Sequence, residues 1–135
     1  YRLFGDKSAR SKLSVNVVSF GFKYGIPLDA DLVLDVRFLP NPYYIADLKP
    51  KSGLTPEVRD FIFAYQQTQD YLQKLEDLLA YTLPLYFEEG KTGLVIAVGC
   101  TGGRHRSVAV AKEIGDFVMK RGYPTVVNHR DIARG

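Results

Sequence analysis

The chain has 135 residues, with 18 Lys plus Arg against 15 Asp plus Glu, one cysteine and no tryptophan. That length admits one compact domain with its own core, and a composition of 46% hydrophobic, 13% aromatic and 24% charged residues excludes disorder as the main state. The lone Cys100 excludes an intramolecular disulfide scaffold, two His and one Cys cannot build a four-ligand zinc site without carboxylates, and no run reaches the roughly 20 apolar residues that span a bilayer. No metal and no membrane partner are expected. Residues 1–12 lack the hydrophobic segment of a signal peptide, so a cytoplasmic protein is expected. The net charge of +3 is unevenly divided: +4 over residues 1–25, −5 over residues 26–100 and +4 over residues 101–135.

In chain order, Ser14-Val15-Asn16-Val17-Val18-Ser19-Phe20 is rich in β-branched residues and runs into Gly21, which predicts a strand feeding the loop Phe22-Lys23-Tyr24-Gly25-Ile26-Pro27. Leu32-Val33-Leu34-Asp35-Val36-Arg37 predicts a second buried strand, stopped by Pro40-Asn41-Pro42. A helical pattern starts with Thr55 as N-cap and Pro56 at the first helical position. Leu72, Leu75, Leu78, Leu79 and Leu83 continue it as an apolar stripe that Pro84 should kink or end. Gly93-Leu94-Val95-Ile96-Ala97-Val98 is a near-continuous apolar run of the kind buried on both faces of a parallel sheet. After a glycine-rich loop, Val110, Ile114, Phe117 and Val118 mark a helix stopped near Gly122, and Thr125-Val126-Val127-Asn128 a last strand. The fold class is therefore α/β, a mostly parallel sheet with flanking helices and an anion-binding loop between a central strand and a helix.

That loop, Gly99-Cys100-Thr101-Gly102-Gly103-Arg104-His105-Arg106-Ser107, holds the candidate chemistry. Ligands of open α/β sheets sit at the carboxyl ends of strands, where the amides of residues 101–106 and the helix dipole would converge on an anion. Thr101 and Ser107 would add hydroxyls, Arg106 a planar fork, and Gly102 and Gly103 the freedom for positive φ and close approach. Asp35 and Arg37, two apart on one strand, would face the same ligand or form an ion pair. Cys100, Gly103, Arg106 and Ser107 also satisfy Cys-x-x-Gly-x-x-Arg-Ser, which resembles the loop of cysteine-dependent phosphatases. In that alternative Cys100 is the nucleophile, Arg106 holds the phosphoryl oxygens and Asp35 is the general acid, although Gly99 stands where such enzymes place His. Gly90-Lys91-Thr92 imitates the end of a P-loop, but Leu85 replaces the glycine required five residues earlier, so a solvated turn is expected there.

Ser19-Phe20-Gly21-Phe22-Lys23-Tyr24-Gly25-Ile26-Pro27, Asp35-Val36-Arg37-Phe38-Leu39-Pro40-Asn41-Pro42 and the loop 99–107, with His129-Arg130, resemble the C-terminal domain of the RapZ/YvcJ family. The resemblance covers nearly all of the chain from about residue 14. It implies a two-domain bacterial protein in which residues 1–13 are the linker remnant of a missing N-terminal P-loop domain that binds ATP or GTP, and residues 14–135 are a single α/β ligand- and RNA-binding domain. A start at Tyr1 rather than Met fits that expectation. It further implies a non-catalytic domain without a cofactor of its own, a member of a homo-oligomer, that binds a regulatory RNA, presents it to an endoribonuclease and senses glucosamine-6-phosphate. By matching position, Asp35, Cys100, Thr101, Gly102, Gly103, His105 and Arg106 would line the amino-sugar phosphate pocket, to which the direct reading adds Arg37 and Ser107. Lys23, Arg104, Arg106, His129 and Arg130 would form the RNA surface. Tyr43 stands where enteric members place a pocket histidine, and Tyr43-Tyr44 look more like the Gram-positive branch. The chain also ends at Gly135 without the lysine-rich tail of enteric members, which predicts weaker RNA binding.

Overall fold

The apolar run from residue 93 becomes β3 (Gly93–Cys100), and the β-branched run before Gly21 becomes β1 (Ser14–Gly21). In this computed structural model, which describes residues 12–134, these two strands form the centre of a four-stranded, all-parallel sheet. The sheet order is β2-β3-β1-β4, with β2 (Leu32–Asp35) and β4 (Thr125–His129) at its edges. Three helices are described: α1 (Pro56–Phe63), α2 (Gln66–Glu88) and α3 (Arg106–Lys120). The α/β class and the parallel sheet are as the sequence implies.

β1 and β3 pair from Ser14 opposite Gly93 to Gly21 opposite Cys100, so Val15 and Val17 share a face with Leu94, Ile96 and Val98. That face is buried in one cluster with Val110, Ile114 and Val118 of α3 and Leu75, Leu79 and Leu83 of α2. The other face is only partly covered: Val33 is 43% and Val126 59% exposed, while Asn16, Val18 and Val95 are half-buried. Coverage on both faces, expected along the apolar run of β3, is reached only near its carboxyl end, where Ala97 and Gly99 are also buried.

Further differences from the sequence reading have local causes. β2 ends at Asp35, because the Asp35 carboxylate turns back to accept from the Arg37 amide, so Arg37 lies in a turn rather than on the strand. Thr55 is the N-cap and Pro56 the first residue of α1, but the Thr55 hydroxyl donates to the Ser52 carbonyl instead of capping the helix. The helical stretch breaks between α1 and α2, and α2 continues through Pro84 to Glu88, leaving the Ala80 carbonyl without its usual amide donor. Leu78 points outward at 55% exposure, so the leucine stripe is narrower than its spacing suggests. Gly90, at φ 112°, ends α2, and the adjacent Lys91 pairs with Asp31 at 2.7 Å, as befits a surface turn. No helix among the described residues is long and apolar enough to cross a membrane.

Gly115 fixes how closely α3 lies on β4, since a Cβ there would run into Cγ2 of Val127. Alanine gains about 1 kcal/mol of helix propensity over glycine, while overpacking typically costs about 1–3 kcal/mol. Gly115→Ala is expected to lower the thermal midpoint by several degrees, and adding Val127→Ala to recover most of the loss. A single variant more stable than the parent would contradict this packing.

Candidate functional site

The parallel strands bring Gly21, Asp35, Cys100 and His129 to one edge of the sheet. Beside Cys100 a cleft of about 670 Å³ opens between the loop 101–106 and the irregular segment 41–50. One wall is formed by Lys23, Cys100, Thr101, Gly102, Arg104, His105 and Arg106; the other by Asn41, Tyr43, Tyr44, Ala46, Lys49 and Pro50. Among the described residues no carboxylate lines it, whereas two lysines and two arginines do.

The loop is shaped by glycine packed on glycine. A Cβ at Gly21 would lie 2.5 Å from the carbonyl carbon of Gly102, and one at Gly103 would lie 2.6 Å from the Gly21 amide nitrogen. Gly103 has φ 80°, so both its conformation and its contacts require glycine. Gly102 differs: its φ is not positive, and a Cβ there would meet nothing within 4 Å. The expected close approach at Gly103 is thus to β1 rather than to a ligand, while Gly102 faces the open cleft. The Gly21 amide donates to the fully buried Asp131 carboxylate at 2.8 Å, which Arg130 and Arg134 also contact. These cations and the amide hold Asp131 below the usual carboxylate range against the opposing effect of burial.

The arginines divide by partner. Arg37 donates Nε and Nη2 to Asp35 at 3.0 and 2.7 Å and sits 3.9 Å from the centroid of the Phe22 ring. This contact lowers the Asp35 pKa, and neither residue lines the cleft. Asp35 is therefore ionised and neutralised by Arg37, which removes the proton a general acid needs. Arg106, 5% exposed, donates Nη1 to the carbonyls of Arg37 and Leu39 and Nη2 to the Thr101 hydroxyl at 3.5 Å. Arg104 donates to the Pro50 carbonyl, and its own carbonyl accepts from the Gly53 amide at 2.8 Å. Among the described residues, the buried Nε atoms of Arg104 and Arg106 find no hydrogen-bond partner, as is also true of Arg59 Nε, Arg121 Nε and the Thr68 hydroxyl away from the cleft.

His105 Nε2 lies 3.0 Å from the Lys49 carbonyl, and because a carbonyl only accepts, Nε2 carries the hydrogen. Burial lowers the His105 pKa despite that bond, leaving Nδ1 without a proton at neutral pH. Cys100 is buried and donates Sγ–H to the Ser107 hydroxyl at 3.2 Å; Ser107, fully buried, is packed behind the loop and does not line the cleft. Among the described residues, no group of three or more His, Cys, Asp or Glu is placed to hold a metal ion.

Of the five bases expected on an RNA surface, Lys23, Arg104 and Arg106 line the cleft, but Arg106 is buried and only Lys23 is well exposed. His129 and Arg130 lie outside it: His129 Nδ1 is 2.7 Å from the buried Ser19 hydroxyl, and Arg130 is held by Asp131 and the Gly25 carbonyl. The sequence reading missed Asn41, Lys49 and Pro50 in the cleft, and the buried anchor Asp131. Lys49 carried a signal as a base in an acidic stretch, beside the breakers Pro50 and Gly53; Asp131, flanked by arginines, carried none of its burial.

Adjacent glycines give separable effects. Gly103→Ala is expected to cost about 1–3 kcal/mol of stability in a denaturant melt, from strain and overpacking. Gly102→Ala should leave the melt within about 0.5 kcal/mol of the parent. Equal losses would contradict the packing of the loop.

The buried histidines set a pH window. His105 and His129 are both lowered by burial below their ordinary value near 6.5. Above that value the folded and unfolded chains are both neutral at these sites; below it the unfolded chain gains protons that the folded chain resists. Stability is thus expected to fall as pH drops from neutrality toward about 5, with a shallower fall in His129→Gln, measured by urea melts across that range. A flat profile would contradict it.

The family model of the RapZ C-terminal domain matches residues 13–133. The chain is 56% identical over 131 residues to a nucleotide-binding protein of Desulfitobacterium hafniense (strain DSM 10664 / DCB-2), covering 97% of this chain and 44% of that protein. It is 60% identical over 126 residues to a nucleotide-binding protein of Geobacillus thermodenitrificans (strain NG80-2), covering 93% of this chain and 42% of that protein. The chain thus spans less than half the length of these curated relatives.

Proposed function

Because the chain belongs to the RapZ C-terminal domain family, we propose that it is a non-catalytic binding domain whose cleft takes a phosphorylated metabolite, an amino-sugar phosphate such as glucosamine-6-phosphate, and alternatively the phosphates of RNA. The observation that supports this reading is the lining of the cleft, which holds Lys23, Lys49, Arg104 and Arg106 and, among the described residues, no carboxylate. The start of α3 adds the partial positive charge of a helix N-terminus, and Lys23 and Lys49 add mobile charges at the rim.

Sugar phosphate and RNA would draw on the same donors, so binding of one excludes the other. A hydrolytic role for Cys100 has weaker support: its thiol is buried and engaged with Ser107, and Asp35 is neutralised by Arg37. The longer relatives are called nucleotide-binding proteins, and for a whole protein of that length we propose a nucleotide-binding region outside the segment matched here.

Titration calorimetry is expected to show binding of glucosamine-6-phosphate but not of glucosamine, weakened about tenfold in Lys49→Ala, which corresponds to about 1.4 kcal/mol. Saturating glucosamine-6-phosphate should displace a single-stranded RNA whose affinity falls with salt at a logarithmic slope near −2, as roughly three phosphate contacts require. RNA binding unchanged by saturating sugar phosphate would end the exclusion model, and absence of any phosphate-ester binding would end the reading as a whole.

A further inference from the structure

The wall of the cleft opposite the arginines is aromatic. Tyr43 and Tyr44 lie on the 3-10 turn Pro42–Tyr44 with ring centroids 5.6 Å apart and planes 10° apart, a parallel stack. Neighbouring residues hold that turn: Asn41 Oδ1 accepts from the Tyr43 amide at 3.1 Å, the Ile45 amide donates to the Pro42 carbonyl at 2.9 Å, and Pro42 is buried. The Lys49 ammonium stands 4.4 Å from the centroid of the Tyr43 ring. Tyr44, by contrast, is 84% exposed while still lining the cleft. A stacked pair of rings, fixed at its root and open at its outer member, is a preorganised platform for a third flat ring. Tyrosine supplies such a surface at little cost in side-chain entropy.

The platform and the cations share one cleft, which restricts what fits both. A saturated sugar phosphate satisfies the cations but has no flat π-face for Tyr44, whereas a nucleotidyl unit has both a phosphate and a planar base. We infer that the cleft recognises a nucleobase-bearing phosphate, with the base stacked on Tyr44 and the phosphate on the cationic side of the cleft, among Lys23, Lys49, Arg104 and Arg106. This rests on the reading of the cleft as an anion site and adds to it the class of ligand that uses its second wall. Free nucleotides and single-stranded RNA present the same chemistry, and base stacking on an aromatic side chain is tolerant of base identity.

Adenosine monophosphate and ribose 5-phosphate differ in the base alone, so calorimetry of this chain with the pair isolates the stack. Adenosine monophosphate is expected to bind about fivefold or more tightly, with Tyr44→Phe keeping the preference and Tyr44→Ala abolishing it. At 84% exposure, Tyr44 can be truncated without loss of core. A short single-stranded oligoribonucleotide and its abasic counterpart separate the two sources: tighter binding than the mononucleotide, lost in the abasic strand, identifies RNA, and no gain over the mononucleotide identifies the free nucleotide. Equal affinity for adenosine monophosphate and ribose 5-phosphate, or a preference that survives Tyr44→Ala, overturns the inference while leaving the anion site standing. If neither compound nor inorganic phosphate binds, the anion site falls, and this inference with it.

Discussion

β1 and β3 are neighbours whose chains leave the sheet toward each other. After β1 the chain must reach β2 on the far side of β3, and after β3 it must reach β4 on the far side of β1. The two exits pass at the carboxyl edge, where connections of the same sheet ordinarily avoid one another. They do so at backbone distance, with Gly21 against Gly102 and Gly103, and Gly99 roofed by the rings of Phe20 and Phe22. Side chains at these positions would force the exits apart and carry the loop 101–106 with them. Asp131 ties the crossing to the end of β4 by accepting the Gly21 amide, and the Lys23 amide donates to the Thr101 carbonyl. The cleft inherits its position from this crossing rather than from any residue that would touch a ligand.

Legibility in the sequence followed the range of the forces involved. β3, its glycine loop and α3 were readable because strand, loop and helix signals are local and adjacent. The charge of Arg104 and Arg106 was equally readable; the burial of Arg106 and the anchoring of Arg104 were not, because they depend on carbonyls of Arg37, Leu39 and Pro50, brought near only by folding. The second wall, 41–50, has no periodicity to read. It is placed by hydrogen bonds from Arg104 to Pro50 and from His105 to Lys49, so Tyr43 and Lys49 could be noticed as residues but not located. The leucine stripe of α2 gave the core positions 75, 79 and 83 and misplaced Leu78, since spacing fixes a face without fixing its width. Pro84 shows the same limit from the other side, a strong local breaker that the surrounding helix absorbs.

Two ways of fixing a guanidinium have opposite electrostatic results. Arg37 and Arg130 are held by carboxylates, so each brings its own counterion and contributes little field beyond its pair. Arg104 and Arg106 are held by backbone carbonyls, which orient the planar group by its outer nitrogens without cancelling its charge. The cleft therefore keeps two positioned cations beside a helix N-terminus, with His105 left neutral by its burial. Among the described residues no carboxylate lines the cleft to offset these charges. A group that is both anionic and able to accept several hydrogen bonds complements such a wall. A phosphate has three such oxygens at one tetrahedral centre, which is why the chemistry of the wall of arginines narrows the ligand's charge before the aromatic wall narrows its shape.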